Sequence, residues 1–139
     1  MFSQTVEYAL RAMVQLAVDS SGQATTKDIA AKAKVPSAYL AKVLQSMRKG
    51  GLIRSRRGVG GGVTLAKPAN KISLLDIIDA VEPLKRTPAK KVATAAQLQK
   101  SMDTAVDQLR STFASESLAD MMPKGKAKSA SVKRSVKKR

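Results

Sequence analysis

The chain has 139 residues, with 26 Lys and Arg against 10 Asp and Glu, a formal net charge of +16, and neither cysteine nor histidine. That length allows one modest domain with appendages, the absence of cysteine excludes a disulfide scaffold, and the charge points to a polyanionic partner, most commonly nucleic acid. Hydrophobic residues make up 43% and aromatics 3%, which suits a helical core of Leu, Ile, Val, Met and Ala.

The charge is unevenly placed: +6 over residues 1–83, +2 over 84–123 and +8 over 124–139. An anionic membrane surface is the alternative partner, but the basic tail has no apolar stripe to insert. No apolar run approaches membrane-spanning length and the N-terminus lacks a signal-peptide pattern, so a soluble, cytoplasmic, nucleoid-associated protein is expected.

In chain order, a first helix is expected over Ser3 to Val18, with Val6, Leu10, Met13, Val14 and Ala17 on its buried face and Gln4, Glu7, Arg11 and Gln15 outside. Residues 20–23 read as a loop. Thr25 and Asp28 have the spacing of a capping box that opens a second, short helix carrying Ile29, Ala30 and Ala33. That helix ends at Lys34-Val35, because Pro36 disfavours helical geometry in the residue before it and suits the first helical position after it.

From Pro36 a third helix runs to about Lys49, burying Leu40, Val43, Leu44 and Met47, and Gly50-Gly51 stops it. Its opposite face carries Ala38, Ala41, Lys42, Gln45 and Lys49. Small residues permit close approach to a major groove, and Lys or Gln reach phosphates or base edges. An ordinary amphipathic surface helix has the same look, so the next stretch decides.

In that stretch two β-like runs flank Arg54, Arg56, Arg57 and the glycines Gly58, Gly60, Gly61 and Gly62. Glycines supply the positive φ of a tight hairpin, while the arginines meet phosphates or enter a minor groove. A nucleotide-cradling loop is the weaker reading, since no Gly-Lys-Ser/Thr follows and a β-run, not a helix, comes next. The fold class is therefore mainly α with a small β-hairpin wing: a winged helix-turn-helix over 1–83, plus a long dimerisation helix.

Ser73 and Asp76 form a second capping-box pattern, opening a helix that buries Leu74, Ile77, Ile78 and Val81 and ends at Pro83. Asp76 and Asp79 lie one turn apart, but capping and the helix dipole explain acids there, and no His or Cys joins them as a metal or catalytic set. No nucleophile–base arrangement is visible, and the chain reads as a non-enzyme. Residues 84–91 look like a linker.

A long helix is expected from about Val92 to Phe113, with Ala95, Leu98, Met102, Ala105, Leu109 and Phe113 in a narrow stripe like the seam of a helix pair. Packing within the protomer competes with pairing to a second subunit, and dimerisation through Leu98, Met102, Ala105, Leu109 and Phe113 is preferred. Ser117 to Met122 should make a short terminal helix, so that residues 92–123 form the dimerisation segment. Residues 124–139, lysines and arginines among small residues, should be a disordered tail, read as a nonspecific DNA tether in preference to a merely solubilising tail.

The series Tyr8-Ala9-Leu10-Arg11-Ala12, Tyr39-Leu40-x-Lys42-Val43-Leu44, Gly51-Leu52-Ile53-x-Ser55-x-Arg57-Gly58-x-x-Gly61-Gly62, Leu65-Ala66-Lys67 and Ile72-Ser73-Leu74-x-Asp76-Ile77 closely resembles the Rrf-two family of bacterial winged helix-turn-helix transcription regulators. The resemblance covers about residues 1 to 83. It implies a dimeric DNA-binding regulator, most often a repressor and in some members an activator, and it strengthens the dimer assignment of the long helix.

Family members commonly hold an iron–sulfur cluster on three cysteines placed after the segment corresponding to Ala80-Val81-Glu82. This chain has none, so no cofactor is expected. One cluster-free member, the regulator of cysteine metabolism, takes its signal from a partner protein. For this chain a partner protein or small-molecule effector is unidentified.

The candidate DNA-binding set is Thr26, Ser37, Ala38, Tyr39, Ala41, Lys42, Gln45, Arg54, Arg56, Arg57, Gly58, Gly60 and Gly61. Pro36 and Ala38 stand where many members have serines, which removes hydroxyls able to hold a phosphate or a base. Two functions follow: a sequence-specific homodimeric repressor of transcription that reads double-stranded DNA, or an architectural, largely nonspecific DNA-binding protein driven by the tail.

Overall fold

Ser3 opens the first helix, α1 (Gln4–Val18), by accepting the backbone N–H of Val6 on its side-chain oxygen at 3.2 Å. The computed structural model describes residues 2–19, 24–56, 62–85 and 95–123. α1 buries Val6, Ala9, Ala12, Met13 and Leu16, while Leu10, Val14 and Ala17 are only partly covered. The expected buried face is thus rotated. Helices pack on α1 from more than one side, and the small Ala9 and Ala12 permit the close approach.

Thr25 caps α2 (Thr26–Ala33), its hydroxyl oxygen accepting from Asp28 N–H at 3.1 Å. The helix ends at Lys34 in left-handed geometry, φ 56° and ψ 50°, with Val35 N–H reaching back to the Ala30 carbonyl at 3.0 Å. This is a Schellman-type stop, and Val35, 3% exposed, supplies its apolar contact. α3 (Ser37–Lys49) starts one residue later than expected, with Pro36 as its N-cap. Leu40, Val43, Leu44 and Met47 form its buried face, as the spacing predicts.

Gly50 and Gly51 end α3. A Cβ on Gly50 would come within 3.2 Å of the Ala80 Cβ, so glycine there lets α3 lie close to the next helix, and Gly51 takes φ +74°. Strands β1 (Ile53–Arg56) and β2 (Gly62–Leu65) pair antiparallel, with Ile53 opposite Leu65 and Arg56 opposite Gly62. Ala24 pairs with Val63 through two backbone bonds of 3.0 and 2.7 Å, adding a short third rung just before α2. The sequence reading did not contain that rung.

A 3-10 turn at Ala69–Lys71 leads to α4 (Leu74–Val81), where both halves of the Ser73–Asp76 capping box are formed. The last long helix, α5 (Ala96–Ser115), has no buried residue. Its expected first turn, from Val92, lies outside the described residues, as do the loop 20–23, most of the linker and the tail 124–139.

After α5 the chain returns to the main core. Ser117 pairs with Ser73, Leu118 N–H donates to the Ile72 carbonyl at 2.8 Å, and Leu74 N–H donates to the Glu116 carbonyl at 2.9 Å. The terminal turn Leu118–Met121 is 3-10, with its own Ser117–Asp120 capping box, and Leu118 is fully buried among residues of the N-terminal helices.

Candidate DNA-binding face

Among the described residues, Thr26, Ser37, Ala38, Tyr39, Ala41, Lys42, Gln45, Arg54 and Arg56 are all exposed. Those on α3 face away from the Leu40–Val43–Leu44–Met47 side that anchors it. Arg57, Gly58, Gly60 and Gly61 lie outside the described residues. Between Ala24 and Arg56 the only acid is Asp28, set against Lys27, Lys32, Lys34, Lys42, Arg48, Lys49, Arg54 and Arg56. A polyanion meets little repulsion on such a surface.

Three side-chain ties hold this face to the rest of the protein. Arg48 of α3 donates from Nη1 to Ser55 Oγ of β1 at 3.0 Å, linking helix and wing. Arg11 of α1 donates from Nη2 to the Lys34 carbonyl at 2.9 Å, at the turn between α2 and α3. The Arg11 guanidinium also stands 5.0 Å from the Tyr8 ring centre, and Tyr8 meets Tyr39 edge-to-face at 5.1 Å. Tyr39 therefore has a packing partner while remaining 42% exposed. Arg11, read from the sequence as an outward residue and as part of the family series, was given no role there because its acceptor lies 23 positions away and is a backbone atom.

On α5, Leu98 (63% exposed), Met102, Ala105 and Leu109 stay open to solvent in the protomer. Phe113 differs from the rest of the stripe. It packs on the core and meets Phe2 edge-to-face at 5.6 Å, because by that point α5 has returned to the body of the domain. Arg110, one residue past Leu109, grips Asp79 with both guanidinium nitrogens, at 2.9 and 3.1 Å. The hydrogen bond to Asp79 is the main cause raising the Arg110 pKa above its ordinary value; the negative charges of Asp79 and Asp107 also raise it, and burial opposes them. Asp79 thus serves in an interhelix tie and Asp76 in a cap.

A cleft of about 450 Å³ opens beside α1, lined by Leu10, Val14, Ala33, Leu74 and Met121 with Arg11, Gln15 and Lys32 at its edge.

A model of the Rrf2 family, described as an iron-dependent transcriptional regulator, matches residues 2–124. The chain belongs to the Rrf2 family. It is 42% identical over 81 residues to a Mycobacterium tuberculosis protein named as an HTH-type transcriptional regulator, covering 58% of this chain and 50% of that one. The chain spans about half the length of the curated relatives it matches first.

Among solved structures, the fold is similar to CymR of B. subtilis, described as its global cysteine regulator. There the TM-score is 0.75 at 26% identity, covering 87% of this chain and 95% of that one. It is also similar to IscR of T. potens, with a TM-score of 0.71 at 29% identity over 87% and 85% of the two chains. These Rrf2 relatives are transcriptional regulators and not enzymes, in line with the reading of the sequence.

A family described as iron-dependent raises the question of ligands. The 139 residues offer no thiolate and no imidazole, and among the described residues no group of three or more acidic side chains is placed to hold a metal ion. The residues present do not fit an iron–sulfur cluster.

Proposed function

We propose that this Rrf2-family chain is a sequence-specific, homodimeric DNA-binding repressor of transcription that works without an iron–sulfur cluster, in the cytoplasm at the nucleoid. The observation that carries this reading is the exposed face of α3, where Ala38 and Ala41 leave room beside Lys42 and Gln45 while Arg54 and Arg56 project from the adjacent strand. In this arrangement Ser37, Ala38, Tyr39, Ala41, Lys42 and Gln45 approach the major groove. Thr26 meets the backbone, and Arg54, Arg56 and Arg57 with Gly58, Gly60 and Gly61 form the wing.

The open stripe on α5 supports the dimer. Leu98, Met102 and Leu109, 63%, 45% and 37% exposed, each forgo part of the roughly 1.5–3 kcal/mol that full burial gives. A second α5 against Leu98, Met102, Ala105 and Leu109 recovers it, with Phe113 reaching the seam only at its edge. Two α3 helices held about 34–36 Å apart then read an inverted repeat. The tail, +8 over residues 124–139, adds sequence-independent affinity through phosphate contacts.

Gel-shift titration on a selected inverted repeat and on a scrambled duplex tests the reading. Strong preference for the repeat is expected, and equal affinity for both would instead support the architectural function.

A further inference from the structure

The turn between α2 and α3 combines two weaknesses. Lys34 is the only non-glycine residue with positive φ among the described residues, a geometry that L side chains adopt at a cost. The helix that follows begins at Pro36 with no side-chain cap hydrogen bond, so no polar side chain of its own fixes its N-terminus. Ser3, Thr25, Ser73 and Ser117 all provide that bond elsewhere in the chain.

What holds this start comes from α1. Arg11 donates to the carbonyl of Lys34, the strained residue itself, at 2.9 Å. The same guanidinium sits 5.0 Å from the centre of the Tyr8 ring, whose partner at 5.1 Å is Tyr39, in the first turn of α3. Two stacked side chains, Arg11 and Tyr8, thus link both ends of the gap between the two helices. Arg suits the task better than Lys, because its planar group can stack on a ring and donate sideways from the same position.

We infer that Arg11 and Tyr8 are positioning residues for DNA recognition: they aim α3 by bracing the turn and Tyr39, without touching DNA. This rests on the proposed reading of α3 as the recognition helix. Because the Arg11–Lys34 hydrogen bond is solvent-exposed, its removal costs the fold little. Its effect falls on specificity, since base contacts need α3 at one angle while phosphate contacts tolerate several.

The test uses the full chain with a selected inverted repeat and a scrambled duplex over a salt series. Arg11→Lys and Arg11→Gln are both expected to weaken the selected site about tenfold, the scale of losing one charged hydrogen bond, and to change scrambled-duplex binding little. The salt slope should stay as in the wild type. Tyr8→Phe, which keeps the ring, should retain specificity, and Tyr8→Leu should lose it.

The inference is overturned if Arg11→Lys binds like the wild type while Arg11→Gln weakens both duplexes and lowers the salt slope by about one, the mark of a direct phosphate contact. It is also overturned if Tyr8→Phe loses as much as Tyr8→Leu, or if either Arg11 variant is unfolded at the binding temperature. A wild type that does not prefer the repeat removes the regulator reading itself, and is told apart because every variant then behaves as the wild type does.

Discussion

Arg110 and Asp79 form a two-pronged ion pair between α5 and α4, and Arg110 Nη1 also donates to the Leu84 carbonyl at 2.9 Å. The pair ties the long helix to α4. Arg110→Gln is expected to speed hydrogen exchange in the second half of α5, and Arg110→Lys to give an intermediate result, since an ammonium cannot span both carboxylate oxygens. Unchanged exchange in both variants would show that apolar packing around Phe113 holds the helix alone.

The sign of the pH effect follows from the raised Arg110 pKa. A base whose pKa is higher in the folded state gives stability that is complete below its ordinary value and is lost only as pH rises through the folded value. Between pH 7 and 10 the difference in thermal midpoint between wild type and Arg110→Gln should therefore hold constant. A difference that shrinks across that interval would assign the pair a different chemistry.

Leu118 is fully buried, so Leu118→Ala should cost about 2–5 kcal/mol in urea unfolding, as for other core leucines. Leu98→Ala should leave the protomer's fold intact, since Leu98 is 63% exposed, and should act on assembly. Its thermal midpoint should depend more steeply on protein concentration than that of the wild type, with a weaker dimer by sedimentation.

The sequence was most legible where a signal is local. Ser73 with Asp76, the four-residue face of α3 and the stop at Gly50-Gly51 each act within a turn or two and stand where spacing places them, and of the Thr25–Asp28 box the structure shows the Thr25 half. Contacts between distant positions left no pattern. Asp79 and Arg110 are 31 residues apart, Arg11 bonds a carbonyl, and Ala24 pairs with Val63 through backbone alone.

Leu118 reads like any aliphatic residue in a terminal turn until Ile72 and Leu74 are seen to bond to its strand-like approach. Of the candidate site, the exposure of the residues on α3 and β1 was legible because amphipathic spacing divides inside from outside. The brace by Arg11 was not, because an outward-facing arginine on α1 has the same spacing whether or not it finds a partner.

Iron supplies a further check. Incubation with ferrous iron and sulfide under reducing, anaerobic conditions should give no visible absorption bound to the protein and no change in DNA affinity, because the chain has no thiolate. Stoichiometric colour retained through desalting would contradict the cluster-free reading.

Selection of bound sequences from a random DNA pool, with the full chain at near-physiological salt, bears most directly on the central proposal. The proposal predicts one enriched inverted repeat with half-site centres about one helical turn apart, recovered again when residues 124–139 are removed. No enriched motif, with affinity that collapses once those residues are gone, would contradict it and establish a nonspecific DNA-coating protein.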